Sequence, residues 1–189
     1  LDHHTTLTGF KWIARAPGLG FGYEEAIGFC PDPGNVRDKD GIATSVVAAS
    51  LVAALKAQGR SVWDELERLA RLHGLHVSSP LTFRVEQIEQ IASGMARLRA
   101  QPPSVLAGSP VVEVSDLSQG YRGLPPTDGV LVLTEAGDRV IARPSGTEPK
   151  LKCYLEVILP VAEGEPLPWE QARERLDAIK AAFAEIIGL

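Results

Sequence analysis

Cysteine is scarce in this chain of 189 residues: only Cys30 and Cys153 occur, far apart and at no metal-ligand spacing. Neither a disulfide framework nor a zinc staple is needed, and a cytoplasmic protein with reduced thiols is the simplest account, while a pairing of the two in space stays open. Positive charge is also in deficit. Nineteen Lys and Arg against 24 Asp and Glu give a formal net charge of -5, without a long basic run or interleaved aromatics. Nucleic acid is therefore not an expected partner, although an acidic protein can still carry a local basic site for a small anion. No leader sequence and no bilayer-spanning apolar run is visible, since the most apolar helical stretch is interrupted by Lys56, so no membrane is expected. An initiator methionine is missing as well. Leu1-Asp2-His3-His4-Thr5 runs almost at once into a motif, and the chain is expected to be the tail of a longer polypeptide.

What is present is ordinary apolar material, 44% of residues, enough for one large or two small cored domains. One loop stands out: Arg143-Pro144-Ser145-Gly146-Thr147-Glu148-Pro149-Lys150, between the apolar runs Val140–Ala142 and Leu151–Val157. Gly146 lets successive backbone N–H groups converge, Ser145 and Thr147 add short donors, and Arg143 adds a bidentate fork. Together these make an oxyanion cradle suited to a phosphomonoester.

Along the chain, Thr6–Ile13 reads as a strand or loop entering a helix, and Tyr23–Phe29 holds two adjacent acids between aromatics. Adjacent carboxylates point in different directions, so Glu24 and Glu25 are not expected to serve one ligand together. Residues 42–58 read as a helix with a buried stripe at Val46, Val47, Leu51, Ala54 and Leu55. Ser61–Asp64 reads as a capping box opening a second helix that Gly74 stops. His73 and His76, without carboxylate or thiol partners at metal spacing, read as surface or satisfied histidines rather than ligands. From Leu75 to Val85 the pattern turns β-like around Pro80 and is expected to lead from one domain into the next. Helix then follows over 86–99, with strands at Val111–Val114, Val130–Thr134 and Arg139–Ala142, the returning strand from Leu151, and a last helix at Trp169–Ile187.

Four stretches resemble, in order, signatures of the phosphohexomutase family. Thr8-Gly9-Phe10-Lys11-Trp12 resembles the opening motif of its third domain. Gly22-Tyr23-Glu24-Glu25-Ala26-Ile27-Gly28 resembles its sugar-recognition loop, and Arg37-Asp38-Lys39-Asp40-Gly41 the segment beyond it. Arg143 to Lys150 is similar to the fourth-domain phosphate loop, and the spellings look most like the bacterial phosphoglucomutase/phosphomannomutase branch related to phosphopentomutase. The resemblance implies an α/β third-domain portion over residues 1–80 and an α+β C-terminal domain over 81–189, an antiparallel sheet covered by helices and similar to the TATA-binding protein. It also implies an enzyme that interconverts hexose 1-phosphate and hexose 6-phosphate through a phosphoserine and a bisphosphorylated sugar, with Mg2+ held elsewhere. The family's Ser-His catalytic motif and Asp-Gly-Asp metal stretch do not occur in this sequence.

By the same resemblance, Glu24 reads sugar hydroxyls, with Lys11 a less secure neighbour, and Lys39 stands near the reacting groups. Arg143, Ser145, Gly146 and Thr147 grip the phosphate that does not react, and Lys150 adds charge. A carboxylate accepts two hydrogen bonds from vicinal hydroxyls, and a flexible ammonium offsets phosphoryl charge. Glu24 and Arg143 are thus expected at opposite ends of one phosphorylated hexose, with the N-terminal domains of the same polypeptide as further partners. Ala26 stands where the family often has serine, which leaves phosphopentomutase or glucose 1,6-bisphosphate synthase activity as an alternative. A non-catalytic phosphosugar-binding module is another.

Overall fold

Where the sequence suggested a strand or loop entering a helix, residues Phe10–Ile13 form a single helical turn, α1. The computed structural model describes residues 2–145 and 148–188, and these fall into two compact units that divide between Leu66 and Glu67. In the first unit, strands β1 (Gly22–Glu24) and β2 (Gly28–Cys30) pair as a tight antiparallel hairpin. This hairpin was not legible in the sequence, because its glycines and acids resemble a solvated turn. Phe10, Ile13 and Cys30 form its small buried core.

Helix α2 (Gly41–Ala57) is capped by Asp40, whose carboxylate accepts from the N–H groups of Ile42 at 3.0 Å and Ala43 at 2.9 Å. The expected buried stripe is not buried. Only Leu55 is enclosed, while Val46 is 63% and Leu51 53% exposed. Alanine, valine and leucine run round the whole helix rather than along one side, and among the described residues of its unit only β2 packs on it to any extent. Helix α3 (Val62–His73) opens with the expected box: Ser61 N–H donates to Asp64 Oδ2 at 2.7 Å, and Asp64 N–H to Ser61 Oγ at 3.2 Å. The backbone N–H of Ser61, with its hydroxyl, holds the Asp64 carboxyl below the usual range. The division between units falls inside this helix, and Ala70 already belongs to the second core.

The second unit is a six-stranded antiparallel sheet in the order β3-β8-β7-β6-β5-β4. Its strands are β3 (Leu75–Arg84), β4 (Val105–Leu106), β5 (Ser109–Asp116), β6 (Val130–Thr134), β7 (Arg139–Pro144) and β8 (Lys150–Leu159). Along β8 the odd residues Leu151, Cys153, Leu155, Val157 and Leu159 are buried, and the even residues face the other way, half-buried. β3 pairs with β8 over ten residues, from Leu75 opposite Leu159 to Arg84 opposite Lys150. The division expected between residues 80 and 81 falls inside this strand, whose hydrogen bonds bind residues 75–84 to the second unit. Pro80 is tolerated because β3 is an edge strand.

Helices α4 (Ile88–Ala100) and α5 (Trp169–Ile187) cover the odd-residue face. Ile91, Met95 and Leu98 of α4, and Leu176, Ile179, Phe183 and Ile187 of α5, share one core with β6, β7 and β8. Each such side chain contributes roughly 1.5–3 kcal/mol through burial. Gly94, an apparent weak point in α4, has a reason: a Cβ there would lie 2.8 Å from Ile187 Cγ2 and 3.2 Å from Ile187 O, so glycine sets how closely α5 can approach.

One buried charge ties α5 to the sheet. Asp138, fully enclosed in the turn between β6 and β7, accepts from Arg175 Nε at 2.8 Å, Arg175 Nη2 at 2.7 Å and Thr134 Oγ1 at 2.9 Å. Removing Arg175 leaves that carboxylate enclosed without its counter-charge. Arg175→Ala is therefore expected to cost about 3 kcal/mol, read as a lower urea midpoint of the second unit's transition with an unchanged slope. A loss under about 0.5 kcal/mol would mean that water replaces the guanidinium.

Candidate functional site

The first unit assembles a small polar cluster from three places in the sequence. Glu24 ends β1, and its side chain turns inward to 9% exposure; Glu25, its neighbour, is exposed. Between them and Gly28 the tip turns through Ile27, which is 91% exposed with φ 51°, a conformation that a β-branched residue adopts only under strain. Lys39 comes from the segment that caps α2. Asp40 N–H donates to Phe29 O at 2.9 Å, so this cap is tied to β2 and brings Lys39 over the hairpin.

There the Lys39 ammonium forms an ion pair with Glu24 Oε1, lies 3.4 Å from the Ala26 carbonyl, and stands 5.9 Å from the centroid of the Phe10 ring. Lys39 is 43% exposed, so its charge remains open to solvent. Glu24 Oε2, by contrast, is buried with no hydrogen-bond partner among the described residues. An enclosed carboxylate oxygen without a donor is costly, and a hydroxyl group brought to it would relieve that cost. Lys11 is exposed on α1, its ammonium 5.6 Å from the centroid of its neighbour Trp12. Phe10 and Gly28 lie inside the quoted motifs, but the sequence assigns them no role, since their contribution is shape alone.

In the second unit, Arg143 stands near the end of β7, half-buried, and Lys150 opens β8. Gly146 and Thr147 lie outside the described residues. The base of the loop is closed by Ser145 N–H donating to Lys150 O at 2.9 Å and Lys150 N–H to Glu148 O at 2.7 Å. Val85 N–H donates to Pro149 O at 3.1 Å, which laces the end of β3 to the loop. Lys150 is ion-paired with Glu148. That hydrogen bond holds the Glu148 carboxyl below its ordinary range, with the charges of Lys150, Arg84 and Lys152 adding to it. Arg84 and Lys152 were not singled out in the sequence. The signal was their position in strand register, which can be read only once β3, β7 and β8 are paired.

Among the described residues no group of three or more His, Cys, Asp and Glu side chains could hold a metal ion. Both cysteines are buried free thiols, which resolves their pairing. Burial pushes Cys153 up to about 12 and also raises Cys30, so neither is a nucleophile at neutral pH. Among the described residues no single helix is long and apolar enough to cross a membrane.

Two family models match this chain, one toward each end. The family model "Phosphoglucomutase/phosphomannomutase, alpha/beta/alpha domain III" matches residues 1–72, and "Phosphoglucomutase/phosphomannomutase, C-terminal domain" matches residues 82–167. A probable phosphomannomutase of Haemophilus influenzae is 43% identical over 151 residues, covering 80% of this chain and 30% of that protein. A phosphopentomutase of Mus musculus is 30% identical, covering 95% of this chain and 32% of that protein. A phosphoglucomutase of Staphylococcus aureus is 30% identical, covering 85% and 32%. The chain thus spans about a third of the length of these relatives. In fold it is similar to pp63/parafusin, a phosphoglucomutase from Paramecium in an open form, with a TM-score of 0.53 at 17% identity over 82% of this chain and 29% of that one.

Gly28 tests the cluster by shape. A Cβ at this position would lie 2.8 Å from Phe10 Cε2 and 2.9 Å from both Glu24 Cγ and Lys39 Cε. Gly28→Ala is expected to destabilise the first unit by about 1–3 kcal/mol through overpacking, seen as a lower urea midpoint. A midpoint unchanged within about 0.3 kcal/mol would mean that the cluster gives way freely and is not preorganised.

Proposed function

The chain belongs to the phosphoglucomutase/phosphomannomutase family, and on that premise we propose that it binds a phosphorylated hexose on behalf of a complete mutase. That enzyme interconverts hexose 1-phosphate and hexose 6-phosphate. The observation that carries this reading is the enclosed Glu24 Oε2 without a donor, beside an ammonium that is still solvent-accessible. A sugar hydroxyl supplies the missing donor and a phosphoryl oxygen is attracted to the ammonium, so one ligand class answers both groups.

In this reading Glu24 accepts hydrogen bonds from hydroxyls of the sugar. Lys39 offsets the charge of the phosphoryl group in transfer, as a positioned cation does best where that charge develops. The loop of the second unit, through Arg143, Ser145, Gly146 and Thr147 with Lys150 beside them, holds the phosphate that stays in place. Gripping the remote end orients the reacting one, and binding energy far from the chemistry thereby serves the transition state. The phosphoserine donor belongs to other domains, and so does Mg2+. The bisphosphorylated sugar is the intermediate, and the setting is the cytoplasm. Lys11 has the weakest support, since its described contact is with Trp12.

A second reading, a pentose phosphate as substrate, is favoured by one residue: Ala26, whose carbonyl meets Lys39, offers no hydroxyl side chain beside Glu24. A site with one polar contact fewer discriminates less sharply among sugars.

Two outcomes are expected. The 189-residue chain alone should give no coupled conversion of glucose 1-phosphate or mannose 1-phosphate to the 6-phosphate; turnover by rigorously pure material would remove the need for other domains. In the complete enzyme, Glu24→Gln should lower kcat/KM for hexose phosphates by about tenfold or more while leaving inhibition by inorganic phosphate within about twofold, because it trades a charged acceptor for a group that is half donor. Equal losses for sugar phosphates and simple anions would mean that Glu24 supports the fold and does not read the sugar.

A further inference from the structure

The strand register of the second unit brings together four cations that the sequence keeps apart. Arg84 lies opposite Lys150 across β3 and β8, and Lys152 lies opposite Arg143 across β8 and β7. All four belong to the even-residue side of β8, away from the helices, in the two rows next to the loop. Partners directly opposite in an antiparallel pair have Cβ atoms about 4.5–5.5 Å apart, and like charges there are destabilising. Two rows further along the same face the charges are matched instead: Arg139 bonds Glu156 at 2.8 Å and His76 Nδ1 lies 3.2 Å from Glu156. Like-charge pairing is thus confined to the end of the sheet that carries the loop. Among the described residues, Lys150 alone of the four has an ion-pair partner, Glu148.

We infer that Arg84 and Lys152, with Arg143 and Lys150, form a cationic docking face that draws a phosphomonoester dianion into the loop, with Glu148 as the internal anion it displaces from Lys150. This rests on the reading that the loop holds phosphate. The loop's own hydroxyls and N–H groups act only at hydrogen-bond range, whereas four charges in adjacent strands act over the Debye length, roughly 10 Å at ordinary ionic strength. The Glu148 carboxyl is held low chiefly by its hydrogen bond with Lys150, and the charges of Lys150, Arg84 and Lys152 act in the same direction. Local stability is given up for attraction, which is where departures from the pairing rules are expected.

The test uses this chain and inorganic phosphate, titrated by NMR at about 20 mM and about 300 mM ionic strength. The Arg84→Gln/Lys152→Gln double variant should bind phosphate about fivefold or more weakly at low ionic strength, with the difference closing at high. Its Tm should hold or rise, because two like-charge pairs are relieved. Glu148→Gln should tighten phosphate binding by about twofold or more at low ionic strength. Undiminished binding by the double variant, alongside weakened binding by Arg143→Ala, would overturn the docking face and leave the loop reading standing. Undiminished binding by Arg143→Ala would overturn the loop reading itself. A lowered Tm of the double variant would make these side chains supports of the sheet, and no phosphate binding by the unaltered chain at low ionic strength would overturn both readings.

Discussion

Strand β8 is the constraint on which the second unit depends. It is paired along both edges, over ten residues with β3 and six with β7, and its odd side chains are sealed under α4 and α5. A slip of one residue would carry Leu151, Cys153, Leu155, Val157 and Leu159 to the open side and Lys150, Lys152, Tyr154 and Glu156 into the core. Register is therefore held by the whole hydrophobic face. The positions of Arg84, Arg143, Lys150 and Lys152 follow from it, since none of them is set by a contact of its own strong enough to choose a register. The loop of residues 145–149 starts and ends on β7 and β8, and a third tie from Val85 to Pro149 makes its base part of the sheet.

The two units treat an enclosed carboxylate in opposite ways. Asp138 is given a full complement: a two-pronged guanidinium, a hydroxyl and a place in a tight turn. Such a group is a structural joint, because every oxygen is answered inside the fold. Glu24 is answered on one oxygen only, by Lys39, and the other is enclosed and bare. Phe10 and the absent side chain of Gly28 shape this half-satisfied state, with contacts near 2.8 Å awaiting any added Cβ. Incomplete satisfaction in a well-packed setting is the physical difference between Glu24 and Asp138.

The segment from Arg143 to Lys150 stands out in the sequence because its composition is local: glycine, short hydroxyls and rim cations lie next to one another. Glu24 and Lys39 were legible as separate motifs, but their ion pair was not, since it depends on the β1–β2 hairpin and on Asp40 docking to Phe29. Helix α2 shows the opposite failure. Its apolar spacing suggests a one-sided stripe, yet periodicity in a helix rich in Ala, Val and Leu says little about which side is covered, and Val46, Val47, Leu51 and Val52 are exposed.

By itself the sequence determined the elements whose information is periodic or adjacent: α3 with its Ser61–Asp64 box, β6, the alternation of β8, and α5 from Trp169 to Ile187. A repeat of 2 or 3.6 residues, or a cap three residues long, is complete within its own stretch. Tertiary structure alone decided that β3 joins the second unit, that Arg84 and Lys152 stand opposite Lys150 and Arg143 in strand register, that Gly94 admits α5, and that one oxygen of Glu24 has no donor among the described residues. Each of these pairs residues from distant stretches. Their meeting is set by the burial of a shared core and by strand register, and neither is written at the positions concerned.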